Sequence, residues 1–262
     1  MHPLLFQFGP IAVPSYGVFA AIGVLAALFL SLRLARVFEV DSNQVWNLIV
    51  LMVFSAIVGS RLLMVLLYWG VLRTVPLWRM GLAAMRTPWF LLAGCAMGLL
   101  IGFAYALAAH MPLRRTLDVL AAPLALGHAI SCIGSFAAGS AFGTPTTLPW
   151  GVTYNSKLAM LWSGTPQGLP LHPTQLYECL VELAIFCLLM VLLRRLAPGE
   201  LMGTWLILFG ISSYFLDFLR GGNVHILNDS LTVGQVAAVL MVLAGGVLWW
   251  KRGTVEKSAH IA

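Results

Sequence analysis

Five ionisable side chains stand inside runs that are otherwise apolar: Arg61, His128, Glu178, Glu182 and Asp217. A charge at membrane depth costs several kcal/mol on most scales, so such groups either pair with one another or serve a function. Arg61 follows Gly59-Ser60, where small residues let another helix or a lipid headgroup come close. Its guanidinium fork suits two-point contact with a phosphate, or it neutralises Asp217 or Glu178. Glu178 and Glu182 are one helical turn apart; they lock helices together or belong to a site. His128, between Gly127 and Ala129, is either a packing hydrogen-bonder or a proton carrier. His172 has the same two readings, proton transfer or capping of the helix that Pro173 opens. Tyr16 starts an apolar run, and its hydroxyl needs a partner there. Arg220 lies just past the end of one, where it can snorkel toward lipid phosphates.

Those runs define the class of protein. Hydrophobic types make up 60% of the 262 residues and charged types 9%, whereas a soluble domain needs roughly a quarter charged residues to cover its surface. The bilayer is therefore the solvent. The net charge of +6 is dispersed as short pairs of Lys and Arg at the ends of apolar runs. That is the pattern of topology determinants, and no nucleic-acid partner is expected. Cys95, Cys132, Cys179 and Cys187 all fall within apolar stretches and form no C-x-x-C pair. They read as small buried hydrophobes, and neither a metal site nor a cofactor is expected. Met1–Pro14 lacks the basic segment of a signal peptide.

Seven stretches are long and apolar enough to cross a bilayer as helices: Ile11–Leu32, Val45–Trp69, Pro88–Ala109, Val119–Ala138, Gln175–Leu193, Leu201–Leu219 and Leu231–Trp250. The expectation is an all-α, polytopic integral membrane protein forming a single domain over residues 1–262, with seven transmembrane helices and a large loop region on the outer side. Positive charge is heavier on the side that holds Arg33, Arg36, Arg114, Arg115, Arg194, Arg195, Lys251, Arg252 and Lys257 than on the side that holds Arg73, Arg79, Arg86, Lys157 and Arg220. The first side is then cytoplasmic, which puts the N-terminus outside and the C-terminus inside. Gly139–Pro173 is the longest non-helical stretch; it carries many turn formers and little charge, as a functional loop would.

Several strings resemble one family, the prolipoprotein diacylglyceryl transferases of bacterial inner membranes. They are His2-Pro3 with Gly9-Pro10 and Ser15-Tyr16-Gly17; Gly59-Ser60-Arg61-Leu62; Gly134-Ser135-Phe136-Ala137-Ala138-Gly139 continuing through Phe142-Gly143-Thr144-Pro145-Thr146 to Leu148-Pro149-Trp150-Gly151-Val152; His172-Pro173-Thr174-Gln175-Leu176-Tyr177-Glu178; and Thr232 with Gly234-Gln235. They cover nearly the whole chain in order. The resemblance implies a transfer at the outer leaflet. The diacylglyceryl group of phosphatidylglycerol moves to the lipobox cysteine thiol in a prolipoprotein signal peptide, and glycerol phosphate leaves. Such chemistry asks for a setting that raises the thiolate fraction, cations for the phosphate and an apolar cleft that excludes water. On this reading His128, His172 and Tyr16 are the catalytic candidates. Arg61, Cys132, Ser135, Gly143, Gln175, Tyr177, Glu178, Ser213, Asp217 and Arg220 are the substrate-binding candidates.

The departures from the family pattern matter too. Cys132 falls where the family usually has a phosphate-binding arginine, and Ser135 at a position often held by Asn or Cys. Ser213 falls where a second arginine is expected, whereas Asp217 and Arg220 agree. Ala93-Gly94-Cys95 replaces an aromatic residue or histidine followed by two glycines. His128 lies one helical turn from Cys132 on the same face, so it can project toward the vacated arginine position. Four outcomes follow: Arg61 and Arg220 suffice, His128 compensates, the donor lipid differs, or the chain is a silent paralogue that binds lipid or lipobox segments without transfer. A transporter would need broken-helix repeats or a line of ionisable groups through the bilayer, and neither is present in the sequence.

Overall fold

The computed structural model describes residues 2–8, 11–67, 69, 88–222, 225–226 and 231–259. The chain is mostly helical. Eight helices are described: α1 (Ser15–Val37), α2 (Ser42–Leu67), α3 (Pro88–Ala108), α4 (Leu113–Ala138), α5 (Lys157–Ser163), α6 (Thr174–Leu192), α7 (Glu200–Asp217) and α8 (Val233–Ala259). Three short antiparallel strand pairs accompany them: β1 (Leu4–Phe8) with β2 (Ile11–Pro14), β3 (Val152–Thr153) with β4 (Pro170–Leu171), and β5 (His225–Ile226) with β6 (Leu231–Thr232). Among the described residues, α1, α2, α4, α6 and Val233–Trp250 of α8 are long and apolar enough to cross a membrane. Of the other two expected stretches, α3 contains the apolar segment Ala93–Ala108, and α7 carries Glu200 and Asp217 at its two ends. Arg73, Arg79 and Arg86, which entered the charge count, lie outside the described residues, as do Gly9 and Pro10.

The chain divides into two compact units, Leu32–Thr116 and the remainder, Met1–Ser31 with Leu117–Ala262. In the smaller unit α2 packs on α3 through small residues. A Cβ added at Gly94 would stand 2.6 Å from the Ala56 carbonyl oxygen, and one at Gly98 would stand 2.8 Å from that of Met52. Gly59 faces the Met97 side chain in the same way. The small residues before Arg61 are thus accounted for by helix packing, and Arg61 itself is exposed. An exposed ion pair joins Arg115 to Glu39 at 2.7 Å, of a kind that contributes little to stability.

In the larger unit the start of the chain is tied to the end of α4. The His2 amide donates to the Ala137 carbonyl at 3.1 Å, the Ser15 amide donates to Pro3, and the Ser15 hydroxyl donates to the His2 carbonyl. α1 then runs against α4 with backbones nearly touching: a Cβ at Gly23 would meet the Gly127 carbonyl oxygen at 2.5 Å. Gly134 receives Phe19. α4 is also fastened to α7. Asp118, fully buried, accepts from the amides of Gly199 (2.6 Å) and Met202 (2.9 Å) at the start of α7. That carboxylate satisfies orphan donors and lies at the positive end of the helix.

Gly139–Pro173 is not without regular structure, as the turn formers had suggested. It contains α5, which begins at Ser156, whose hydroxyl accepts from the Ala159 amide, and ends at Gly164 with φ 70°, a left-handed cap that glycine adopts without strain. Tyr154, Leu171 and Phe142 close a small core beneath it.

α8 starts from a reciprocal cap. The Thr232 hydroxyl accepts from the Gln235 amide at 3.0 Å, and the Gln235 side chain accepts from the Thr232 amide at 3.1 Å, a capping box with Gln at the third position. The same Thr232 hydroxyl donates to the buried Asp217 carboxylate. Gly234 makes room for it, since a Cβ there would stand 2.7 Å from Asp217 Oδ1.

Two stability outcomes follow. Gly23→Ala should lower the unfolding free energy by about 1–3 kcal/mol, because the backbone of α4 must retreat. Gly246→Ala, where nothing lies within 4 Å, should be neutral or stabilising by roughly 0.5–1 kcal/mol. Thermal unfolding of the two variants in one detergent checks the pair, and equal losses would show that the α1–α4 contact is not tight. Thr232→Val removes both the cap and the Asp217 partner and should cost about 2–3 kcal/mol. Thr232→Ser should recover most of that in the same assay.

Candidate functional site

In the larger unit, α4 and α6 each turn two polar residues one helical turn apart toward the other. His128 and Cys132 come from α4, and Glu178 and Glu182 from α6. His128 Nδ1 lies 3.4 Å from Glu182 Oε1, and its Nε2 lies 3.9 Å from Cys132 Sγ and 4.0 Å from Glu178 Oε1. The imidazole therefore has one nitrogen on a fully buried carboxylate and the other between a thiol and a second carboxylate. Glu182, with no exposed surface, also accepts from the Trp205 indole at 3.4 Å. Trp205 stacks on Phe209 with ring centres 5.3 Å apart, and Phe209 meets the His128 ring edge-on at 5.2 Å. The ring's orientation is thus set by a carboxylate on one side and an aromatic face on another.

The outer end of this cluster is Arg220. Its guanidinium donates to Glu178 Oε2 at 2.9 Å, so Glu178 links the arginine to the histidine. The position of Arg220 comes from the chain around it. Its backbone pairs with Gly143 in an isolated bridge, and the Gly143 amide donates to the His172 carbonyl at 3.0 Å. Three strands of backbone converge at Gly143: a Cβ there would stand 2.4 Å from the His172 carbonyl oxygen and 2.9 Å from that of Leu219. Only glycine fits.

A second group forms beside it. The Tyr177 hydroxyl accepts from the Trp150 indole at 2.7 Å and lies 3.4 Å from His172 Nδ1. Pro173, not His172, occupies the position before α6, without a side-chain cap; the capping reading of His172 gives way to contact with Tyr177. Gln175, buried, donates to the Ser140 carbonyl at 2.6 Å and contacts the Tyr154 hydroxyl at 3.1 Å. Burial pushes the Tyr154 phenol above its ordinary pKa, so it remains protonated across the physiological range. Thr174 ties the same segment down by donating to the Ala141 carbonyl at 2.8 Å.

Of the substrate-binding candidates, Cys132, Glu178 and Arg220 join the His128 cluster directly. Gly143 shapes its rim, and Tyr177 and Gln175 hold the loop. Asp217 is turned to Thr232 and the start of α8. Ser213 is half-buried on α7 and Ser135 half-buried on α4, where the Ser135 carbonyl accepts from the Ser140 amide. Tyr16 is 42% exposed at the start of α1, and Arg61 belongs to the other unit. Sequence reasoning passed over Asp118, Trp150, Tyr154, Trp205 and Phe209. Trp205 and Phe209 had one usable signal, an aromatic pair at helical spacing on an apolar helix.

Comparison with known proteins bears on the chain as a whole. The family model described as prolipoprotein diacylglyceryl transferase matches residues 3–251. A phosphatidylglycerol–prolipoprotein diacylglyceryl transferase of Parasynechococcus marenigrum is 32% identical over 271 residues, covering 95% of this chain and 93% of that protein. Proteins with the same name from Synechococcus elongatus and Finegoldia magna are 32% and 27% identical, covering 94% and 95% of this chain and 86% and 94% of their own lengths. With a match of this extent, the chain belongs to the prolipoprotein diacylglyceryl transferase family.

Proposed function

We propose that this chain transfers the diacylglyceryl group of phosphatidylglycerol to the lipobox cysteine thiol of prolipoproteins. The observation that carries the reading is the near full-length match to relatives named for that reaction. The protein would act as one integral-membrane domain of seven spans in a bacterial inner membrane. Its N-terminus and Gly139–Pro173 would face outward, and its C-terminus would be cytoplasmic. In the reaction a carbon–sulfur bond forms at the glyceryl carbon bearing the phosphate, the carbon–oxygen bond breaks, and glycerol phosphate departs. The thiol proton goes to a base.

The local geometry supports this division of labour. His128 Nε2, beside Cys132 and backed by Glu182, is placed to handle a proton, and so is His172 beside Tyr177. Arg220, which donates to Glu178 beside Gly143, is our candidate for meeting a phosphate, and Arg61, in the other unit, remains a cation candidate on the family resemblance. Gln175 braces the loop through Ser140 and Tyr154 and Asp217 braces the start of α8, while Ser135 and Ser213 remain substrate-contact candidates, and Tyr16 a catalytic one, on the family resemblance. Acyl chains have a fitting surface as well: Gly210, Ile211, Phe215, Ala238, Val242 and Leu243 line an apolar groove between α7 and α8.

A second reading, a paralogue that binds lipid or lipobox segments without transfer, is favoured by one observation. The residue at 132 is a cysteine packed against Ala129 and Cys179, with no guanidinium to offer a phosphate. Complementation of a strain depleted of its own transferase separates the two. Growth is expected, and failure despite good membrane expression would establish the silent paralogue. In nanodiscs containing phosphatidylglycerol, Arg220→Ala should reduce transfer to a lipobox peptide about 10–100-fold, the loss of one charge-assisted contact of roughly 1.5–3 kcal/mol. Arg61→Ala should reduce it by as much. Full activity in either variant would remove that arginine from the phosphate site.

A further inference from the structure

His128, Cys132 and Glu178 point three different donor atoms at one place. Nε2, Sγ and a carboxylate oxygen all lie within 4.8 Å of one another. The separations of 3.9 Å and 4.0 Å from Nε2 are long for direct bonds. Histidine to Glu178 is beyond hydrogen-bond range, and thiol to imidazole is at its limit. A tetrahedral zinc ion, bound at about 2.3 Å to sulfur and about 2.0 Å to nitrogen and oxygen, spaces its donors roughly 3.3–3.6 Å apart. The two separations from Nε2 exceed that spacing by about 0.4–0.7 Å, and all three atoms lie within 4.8 Å, so binding an ion would require torsions of Cys132 and Glu178 that draw their donor atoms inward.

What surrounds the donors has the form of a metal site's outer layer. A metal-bound imidazole is typically oriented by a carboxylate on its other nitrogen, and here His128 Nδ1 faces Glu182 Oε1 at 3.4 Å. Glu182 is itself steadied by Trp205. The Glu178 oxygen not turned to the histidine is held by Arg220. Thiolate, imidazole and carboxylate together select a borderline-soft divalent ion rather than calcium or magnesium. The sequence concealed the set because its members come as two one-turn pairs on helices far apart in the chain, not as a C-x-x-C motif.

We propose that His128, Cys132 and Glu178 bind a single zinc-class divalent cation, with Glu182 as the positioning residue behind His128. Three protein ligands leave a tetrahedral ion one open position, the pattern of catalytic rather than structural zinc. The site itself assumes nothing about the reaction. Resting on the transfer reading above, the open position is where an acceptor thiol would be held as thiolate; with His128 Nε2 occupied by the ion, the thiol proton would then pass to His172, the other proton-transfer candidate.

Cobalt titration of the purified full-length chain, stripped with chelator and held in detergent, tests the site without donor lipid or acceptor peptide. Loss of transfer activity therefore leaves it untouched, and its failure leaves the transfer reading untouched. One equivalent of Co2+ should bind with a dissociation constant at or below about 1 µM. It should give tetrahedral visible bands and a near-ultraviolet thiolate-to-cobalt band, and Zn2+ should displace it. Cys132→Ser should lose the thiolate band, whereas Cys179→Ser, which alters the neighbouring thiol, should keep it. Glu182→Gln should weaken binding about 10–100-fold while the band stays in place. Absence of binding in the wild type with helical circular dichroism intact would overturn the proposal. So would a thiolate band that persists in Cys132→Ser.

Discussion

Glu182 is a carboxylate with no exposed surface on a helix that is otherwise apolar, and much of the larger unit is arranged around satisfying it. Left alone in such a place it would cost several kcal/mol. The compensation comes from two other helices, the His128 imidazole on α4 and the Trp205 indole on α7. One acid thereby fixes the rotation of three helices about their axes, because each partner must be turned inward. The ring it orients is the one that carries Cys132 and Glu178 on its far side. Satisfying a buried charge and building a reactive cluster are here the same arrangement.

The constraint works because the helices can come close enough. Gly23 and Gly127 bring the backbones of α1 and α4 into contact, which fixes the helix that bears His128 and Cys132. Asp118 then ties α4 to the start of α7 through backbone amides. In an apolar solvent there is little hydrophobic drive between helices, so close packing and polar ties of this kind carry the association. The rim follows the same logic. Gly143 admits two carbonyls that any side chain would exclude, and this brings Arg220 beside the loop from residue 139 to residue 173.

The site differs from a plain anion clamp in what its cations and anions do. Arg220 is committed in part to Glu178, and Glu178 also faces the histidine. A phosphate arriving there would compete with a carboxylate already in place.

Composition alone decided that this chain lives in a bilayer, since 9% charged residues cannot cover a wetted surface. The order of motifs from His2-Pro3 to Gly234-Gln235 was enough to place it in its family. The helices were legible because apolar length needs no partner to be recognised. Gly59 before Arg61 read equally well as a headgroup approach and as helix packing, and only the neighbouring Met97 resolves it. Of the two readings of His172, capping and proton transfer, the first gives way because Pro173 holds the position before α6 and Tyr177 lies within reach of the ring. Least legible were the pairings of charge. Which of Arg61, Arg220, His128, Glu178, Glu182 and Asp217 meet depends on how helices rotate and cross. That is set by glycine contacts and buried carboxylates acting between segments far apart in the chain, where no local spacing records it.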